Sequence, residues 1–190
     1  MIIDISQEIT KCNVYPGDPK PKVNKICNIV DGDTYNLSEI SMCAHNGTHI
    51  DSPNHFIKDG KTIDELSLDH YIGKCIVIEC NVSITDKVIQ DLYDKIKNYQ
   101  RIIFKGIGVM DVTGAREISK LKLLLLGTSS QSFGPIESPA EVHKILLEKE
   151  IVLLEGLVLD NVSEDEYFLC AQPLNFKGIE GSPCRAVLIK

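Results

Sequence analysis

His45-Asn46-Gly47-Thr48-His49-Ile50-Asp51-Ser52-Pro53-Asn54-His55 gathers three of the chain's five histidines and an aspartate into eleven residues. On a helix, the four-residue spacing would bring His45 and His49 to one face. Gly47 and Pro53 weigh against a stable helix, so an extended chain is the better reading. Side chains alternate with period two along an extended chain, which puts His45, Gly47, His49, Asp51, Pro53 and His55 on one side. Thr48 and Ile50 then point the other way, to pack or hydrogen-bond beneath. Gly47, lacking a Cβ, lets backbone or an ion approach between the imidazoles. Imidazole nitrogen and carboxylate oxygen suit zinc, manganese or iron, and no cysteine pair lies near enough to make a structural thiolate site. Cys43 reads as a small buried thiol or an added ligand. The alternative for the whole stretch is a polar loop with unrelated histidines.

Working outward, 190 residues with 43% hydrophobic content fit one globular domain, residues 1–190, large enough to bury a core. A net charge of −7 disfavours a nucleic-acid surface, which needs clustered Lys and Arg. No run approaches the ~18–20 apolar residues of a membrane span. The N-terminus lacks the basic and apolar regions of a signal peptide, so the expected compartment is the cytoplasm. Seven cysteines, odd in number and without Cys-x-x-Cys, argue against a disulfide framework or zinc ribbon.

The flanking elements read as α/β. Residues 2–6 form an opening strand, and Tyr15-Pro16-Gly17-Asp18-Pro19 is turn-rich. Strands over about 22–30 and 35–43 flank Asp31-Gly32-Asp33, a hairpin signal, and the second feeds directly into the histidine stretch. Residues 74–80 form a buried strand. Thr85-Asp86 caps a helix to about 97 with a stripe of Val88, Ile89, Leu92, Tyr93 and Ile96. Arg101–Lys105 completes a βαβ unit. A second unit runs from a strand at 121–126, ending at Gly127-Thr128-Ser129-Ser130, through a helix capped at Ser138 and reaching about 149, to a strand at 151–154 that ends on Glu155. A carboxylate there faces the region where α/β folds place their sites. On their own, His143 and Glu155 are as readily surface polar residues as ligands. Residues 167–174 and 184–189 read as two strands joined across 178–183, and His70 as structural.

The pattern His-x-Gly-Thr-His-x-Asp-x-Pro-x-His over 45–55 resembles the motif of the cyclase-like metal-dependent hydrolases, the family that includes bacterial kynurenine formamidase and isatin hydrolase. All seven fixed positions are present. Asp4-Ile5-Ser6, Pro16-Gly17-Asp18, Leu154-Glu155-Gly156-Leu157 and Arg185-Ala186-Val187-Leu188 extend the resemblance over nearly the whole chain. It implies a single-domain swivelling β/β/α fold of the cyclase type. It also implies two divalent metal ions, Zn2+ or Mn2+, one held by His45, His49 and Asp51. The second is held by a bridging Asp51 with His143 and Glu155, twelve residues apart as in the family pattern. The implied reaction is attack of metal-bound hydroxide on an amide-like carbonyl.

His55 is assigned proton transfer, its ordinary pKa of ~6.5 suiting that task; the alternative is a fourth ligand or a hydrogen-bond partner of a ligand. Tyr15 stands where kynurenine formamidases carry tryptophan, giving a smaller and more polar aromatic wall. Ser129 and Ser130, with Thr128, contact substrate or cap a turn; no Gly-x-Ser-x-Gly elbow is present. N-formylkynurenine is the leading small-molecule substrate, with a cyclic amide or lactone as alternative. A homodimer or homotetramer is implied by the relatives. A different class of reading is a binding module with structural metals, but such a site would close its coordination shell.

Overall fold

Alternation along the apolar runs builds a sheet that is buried on both faces. The computed structural model describes residues 1–135 and 139–190. In chain order the elements are β1 (Ile2–Asp4), β2 (Lys22–Cys27), β3 (Leu37–Ser41), β4 (His49–Asp51), β5 (Ile72–Cys80), α1 (Asp86–Ile96) and β6 (Arg101–Gly106). They continue with α2 (Val112–Ile118), β7 (Leu125–Thr128), α3 (Pro139–Leu147), β8 (Val152–Glu155), β9 (Asp165–Cys170), β10 (Gly181–Pro183) and β11 (Val187–Ile189).

Nine strands form one sheet in the order β1-β11-β9-β5-β6-β7-β8-β4-β10. Strands β5 to β8 run parallel, with a helix in each of the three connections. Along β5, Cys75 and Val77 enter one core while Ile76, Ile78 and Cys80 enter the other, as period two requires. The helices cover the second face through Ile89, Ala115, Ile118, Val142 and Leu146. The first face closes on the sheet's own antiparallel strands: Tyr167, Leu169 and Leu188 share a core with Ile50, Leu125 and Leu154, so the sheet curls on itself. Fully burying side chains of this size contributes ~1.5–3 kcal/mol each, and this double core holds the mouth of the parallel strands in place.

The expected mixed α/β class, the hairpin and both βαβ units are present. Thr85 caps α1 by accepting from Val88 N–H, while Tyr93 of the expected stripe is half exposed. Several elements differ from the sequence reading. The strand read at 121–126 lies at Leu125–Thr128, running through Gly127 and Thr128, and the one read at 167–174 lies at Asp165–Cys170. The second hairpin strand, β3, pairs only with β2 among the described residues and does not run into the histidine stretch; β4 is a separate strand of the central sheet. α2 was not expected, because Thr113 and Gly114 are poor helix formers. Asp111 caps it by accepting from Gly114 N–H, and a Cβ on Gly114 would lie 2.1 Å from the Ile84 carbonyl oxygen, so only glycine allows that approach. β10 falls within the segment read as a connection, since Gly and Pro dominate it and only pairing with β4 makes it a strand. The Ser138 cap lies outside the described residues. Among the described residues no helix is long and apolar enough to cross a membrane.

Candidate metal centre

Antiparallel pairing of β4 with β8 sets His49 opposite Glu155 and Asp51 opposite Leu153. On the other side of β4, Gly181 of β10 lies opposite Asp51. Thr48 and Ile50 point away from the centre as expected. The Thr48 hydroxyl donates to Gly156 O at 2.7 Å and accepts from Gln7 N–H at 2.9 Å, and Ile50 is fully buried.

Only residues 49–51 are extended, however. His45 is delivered by the turn before β4 and His55 by a 3-10 turn, Pro53–His55, so turns and not strand alternation bring them in. Gly47 also serves differently from the reading above. Its φ of 65° is left-handed, and a Cβ there would meet Ile9 and Cys12 at 3.0 and 3.2 Å. Its carbonyl accepts from His49 Nδ1 at 2.9 Å.

The five expected ligands converge. His45 Nδ1 lies 2.8 Å from Asp51 Oδ1, and His49 Nε2 lies 3.4 Å from the same oxygen and 3.6 Å from Glu155 Oε2. From α3, His143 Nε2 reaches Glu155 Oε1 at 3.3 Å and Asp51 Oδ2 at 3.7 Å. One ligand atom from each of His45, His49 and Asp51 falls within 4.8 Å of the others, and the same holds for Asp51, His143 and Glu155. Two carboxylates buried to about 1–2% exposure would be costly together without positive charge beside them. The outer Nδ1 atoms of His49 and His143 donate to Gly47 O and Pro139 O, leaving Nε2 directed at the carboxylates. This donor set fits a divalent metal ion.

The imidazoles and carboxylates of the centre shift one another's protonation. Burial opposes charge on His45, but Asp51 and Glu180 outweigh it and hold its pKa up at about 9. Burial likewise opposes charge on His143, and Glu155 and Asp51 raise it to about 9. His49 is raised by Glu155 and Asp51 against its burial, while Asp51 and Glu155 are lowered by the imidazoles against theirs. His55 moves the other way: burial lowers it, and the neighbouring His45 and His143 add to that effect against Asp51.

A model of the family described as "Putative cyclase" matches residues 3–166. The chain belongs to that family. A kynurenine formamidase of Geobacillus thermodenitrificans (strain NG80-2) is 34% identical, covering 99% of this chain and 97% of its own. One from Erythrobacter litoralis (strain HTCC2594) is 31% identical, covering 98% and 93%. A solved structure described as a "predicted metal-dependent hydrolase" from Bacillus stearothermophilus is 27% identical, with a TM-score of 0.84 over 99% of this chain and 97% of its own. The architecture is therefore the cyclase-type fold.

In this cyclase-family chain the centre opens into a cleft of about 230 Å³, lined by Tyr15, Asp18, Phe56, Gln131 and Ser132 along with the imidazoles. That is below the ~300–1,000 Å³ usual for drug-sized ligands, so the cleft suits a small substrate. Tyr15 stands on its wall as the sequence suggested. The hydroxyls of Ser129 and Ser130 do not line it; they donate to Gly106 O and Ile107 O at 3.0 and 2.7 Å, tying two loops together. Thr128 is buried, donating to Gly108 O. Gln131 and Ser132, which follow directly on the Gly127–Ser130 stretch, line the cleft instead, and nothing in their type or spacing marks them in the sequence. Phe56 was missed too; it packs edge-on to His55 with ring centroids 4.4 Å apart. Cys43 Sγ faces Asp18 at 3.6 Å and belongs to neither ligand group.

Proposed function

We propose that the chain is a metal-dependent hydrolase that cleaves an amide-like C–N bond, with N-formylkynurenine as substrate, released as kynurenine and formate. The observation that carries this reading is a shared carboxylate: Asp51 belongs to both ligand groups, while His55 stands outside them at 3.9 Å from Asp51 Oδ2. Two ions, Zn2+ or Mn2+, would be held by His45, His49 and Asp51 and by Asp51, His143 and Glu155. A divalent ion there supplies Lewis acidity, bringing the pKa of a coordinated water toward ~7 and polarising a carbonyl oxygen.

His55 is stacked on His45 at 4.1 Å and flanked by Phe56, so its ring is held over the mouth of the centre. Its lowered pKa keeps it neutral at pH 7, ready to accept a proton from the attacking water and return it to the departing amine. Tyr15 and Phe56 provide apolar surface for an aromatic ring, and Gln131 and Ser132 provide polar groups on the wall. We assign substrate contact to these in preference to Ser129 and Ser130.

We further propose a homodimer or homotetramer. Supporting it, the β2–β3 arm leaves Val23, Ile26, Val30, Leu37 and Ile40 exposed, and an isolated two-stranded hairpin is marginal in water. Seven unpaired cysteines support a reducing compartment, the cytoplasm.

The deciding experiment is hydrolysis of N-formylkynurenine by protein reloaded separately with zinc and manganese, each repeated with chelator. Chelator-sensitive turnover is expected. Absence of turnover by fully loaded protein would refute the formamidase reading and direct the search to cyclic amides and lactones.

A further inference from the structure

The three imidazoles of the centre are not held alike. His49 and His143 each anchor Nδ1 on a main-chain carbonyl, at 2.9 and 2.8 Å, and turn Nε2 inward. His45 is reversed. Its Nδ1 faces Asp51 Oδ1 at 2.8 Å, and its outer Nε2 lies 3.3 Å from a carboxylate oxygen of Glu180. What backbone does for two histidines, a side chain 135 residues away does for the third.

The sheet fixes that side chain's origin. Glu180 immediately precedes β10, whose Gly181 is registered on Asp51, and its carbonyl accepts both the N–H and the hydroxyl of Ser52 at 2.9 and 2.8 Å. Gly181 supplies the other half of the cradle: a Cβ there would lie 2.6 Å from His45 Cε1, so the ring packs directly on the β10 backbone. The residue pair Glu180-Gly181 thus sets both the seat of the imidazole and the partner of its outer nitrogen.

We propose that Glu180 is a positioning residue, which holds the Nε2–H tautomer of His45 so that Nδ1 is presented to the metal. The inference rests on the metal-centre reading above. Metal-binding histidines commonly give their second nitrogen to a carboxylate or carbonyl, and losing such a partner weakens metal affinity by roughly 10- to 100-fold. His45 is the only one of the three whose partner can be removed by substitution. The Glu180 carboxylate is 40% exposed and its backbone bonds do not depend on the side chain, so the fold should survive the change.

The test is zinc affinity by chelator competition for wild type, Glu180→Ala and Glu180→Gln, with fold checked by circular dichroism. Two-dimensional 1H–15N NMR of the zinc-loaded imidazoles reports which nitrogen is bound. We expect Nδ1 ligation for His45 and Nε2 ligation for His49 and His143. Affinity should fall about 10-fold or more in Glu180→Ala, and less in Glu180→Gln, whose amide oxygen still accepts. Wild-type binding with unchanged affinity in Glu180→Ala, or Nε2 ligation by His45, overturns the proposal alone. A wild-type chain that binds no divalent metal overturns it together with the reading beneath it.

Discussion

Stripping the metal and titrating the empty centre tests the electrostatic account directly. His45 and His143 are each held at about 9 by the buried carboxylates. At pH 7.5 such groups are about 97% protonated, against about 10% for an ordinary histidine of pKa ~6.5. Since ligation requires the lone pair, loading displaces these protons. The expected release is about two protons per chain from this pair, with more from His49; unperturbed imidazoles would give about 0.2. Calorimetric titration of manganese in two buffers of different protonation enthalpy measures the total. NMR titration of the imidazole Cε1 protons in the stripped chain separates the histidines from any ionisation of coordinated water. Midpoints for His45 and His143 below about 7 would refute the reasoning.

The sign of the stability effect follows. Folded histidine pKa values above ~6.5 contribute stability that is complete below ~6.5 and lost as pH rises to about 9. The lowered Asp51 and Glu155 contribute above ~4 and lose it on acidification. The metal-free chain should therefore melt at falling temperature between pH 6.5 and 9, whereas metal-loaded protein, whose ligands are already deprotonated, should not.

Two further outcomes are expected. His55→Ala should keep its metal content by elemental analysis while losing roughly 10²- to 10⁴-fold in turnover; unchanged turnover removes the proton-transfer role. Thr48→Val should destabilise the fold by ~1 kcal/mol in urea unfolding, because it removes the hydroxyl that accepts from the part-buried Gln7 N–H. The cost stays at one group's worth because Gly156 O keeps its bond from Gln7 Nε2 at 2.8 Å. A loss under about 0.5 kcal/mol would show that Gln7 N–H finds another partner.

The residue types of the centre were legible in sequence because their chemistry is local. His45, His49, Asp51 and His55 crowd into one short stretch, and Ile50 and Thr48 announce its buried reverse side. The parallel strands and α1 were readable from period two and period 3.6 in apolar residues. His143 and Glu155 were different: alone, each was ambiguous, and only the family pattern singled them out. The register of β4 on β8, which sets His49 against Glu155, depends on a curled sheet that no local periodicity encodes. The same is true of β10, whose Gly-Ser-Pro becomes a strand only beside β4, and of Glu180, which nothing in its neighbourhood marks as a partner for His45. Local sequence, read with the family pattern, thus singled out the imidazoles and carboxylates that the fold brings together. Tertiary structure decided which nitrogen of each imidazole faces the carboxylates and which wall residues line the cleft, because both depend on contacts between segments far apart in the chain.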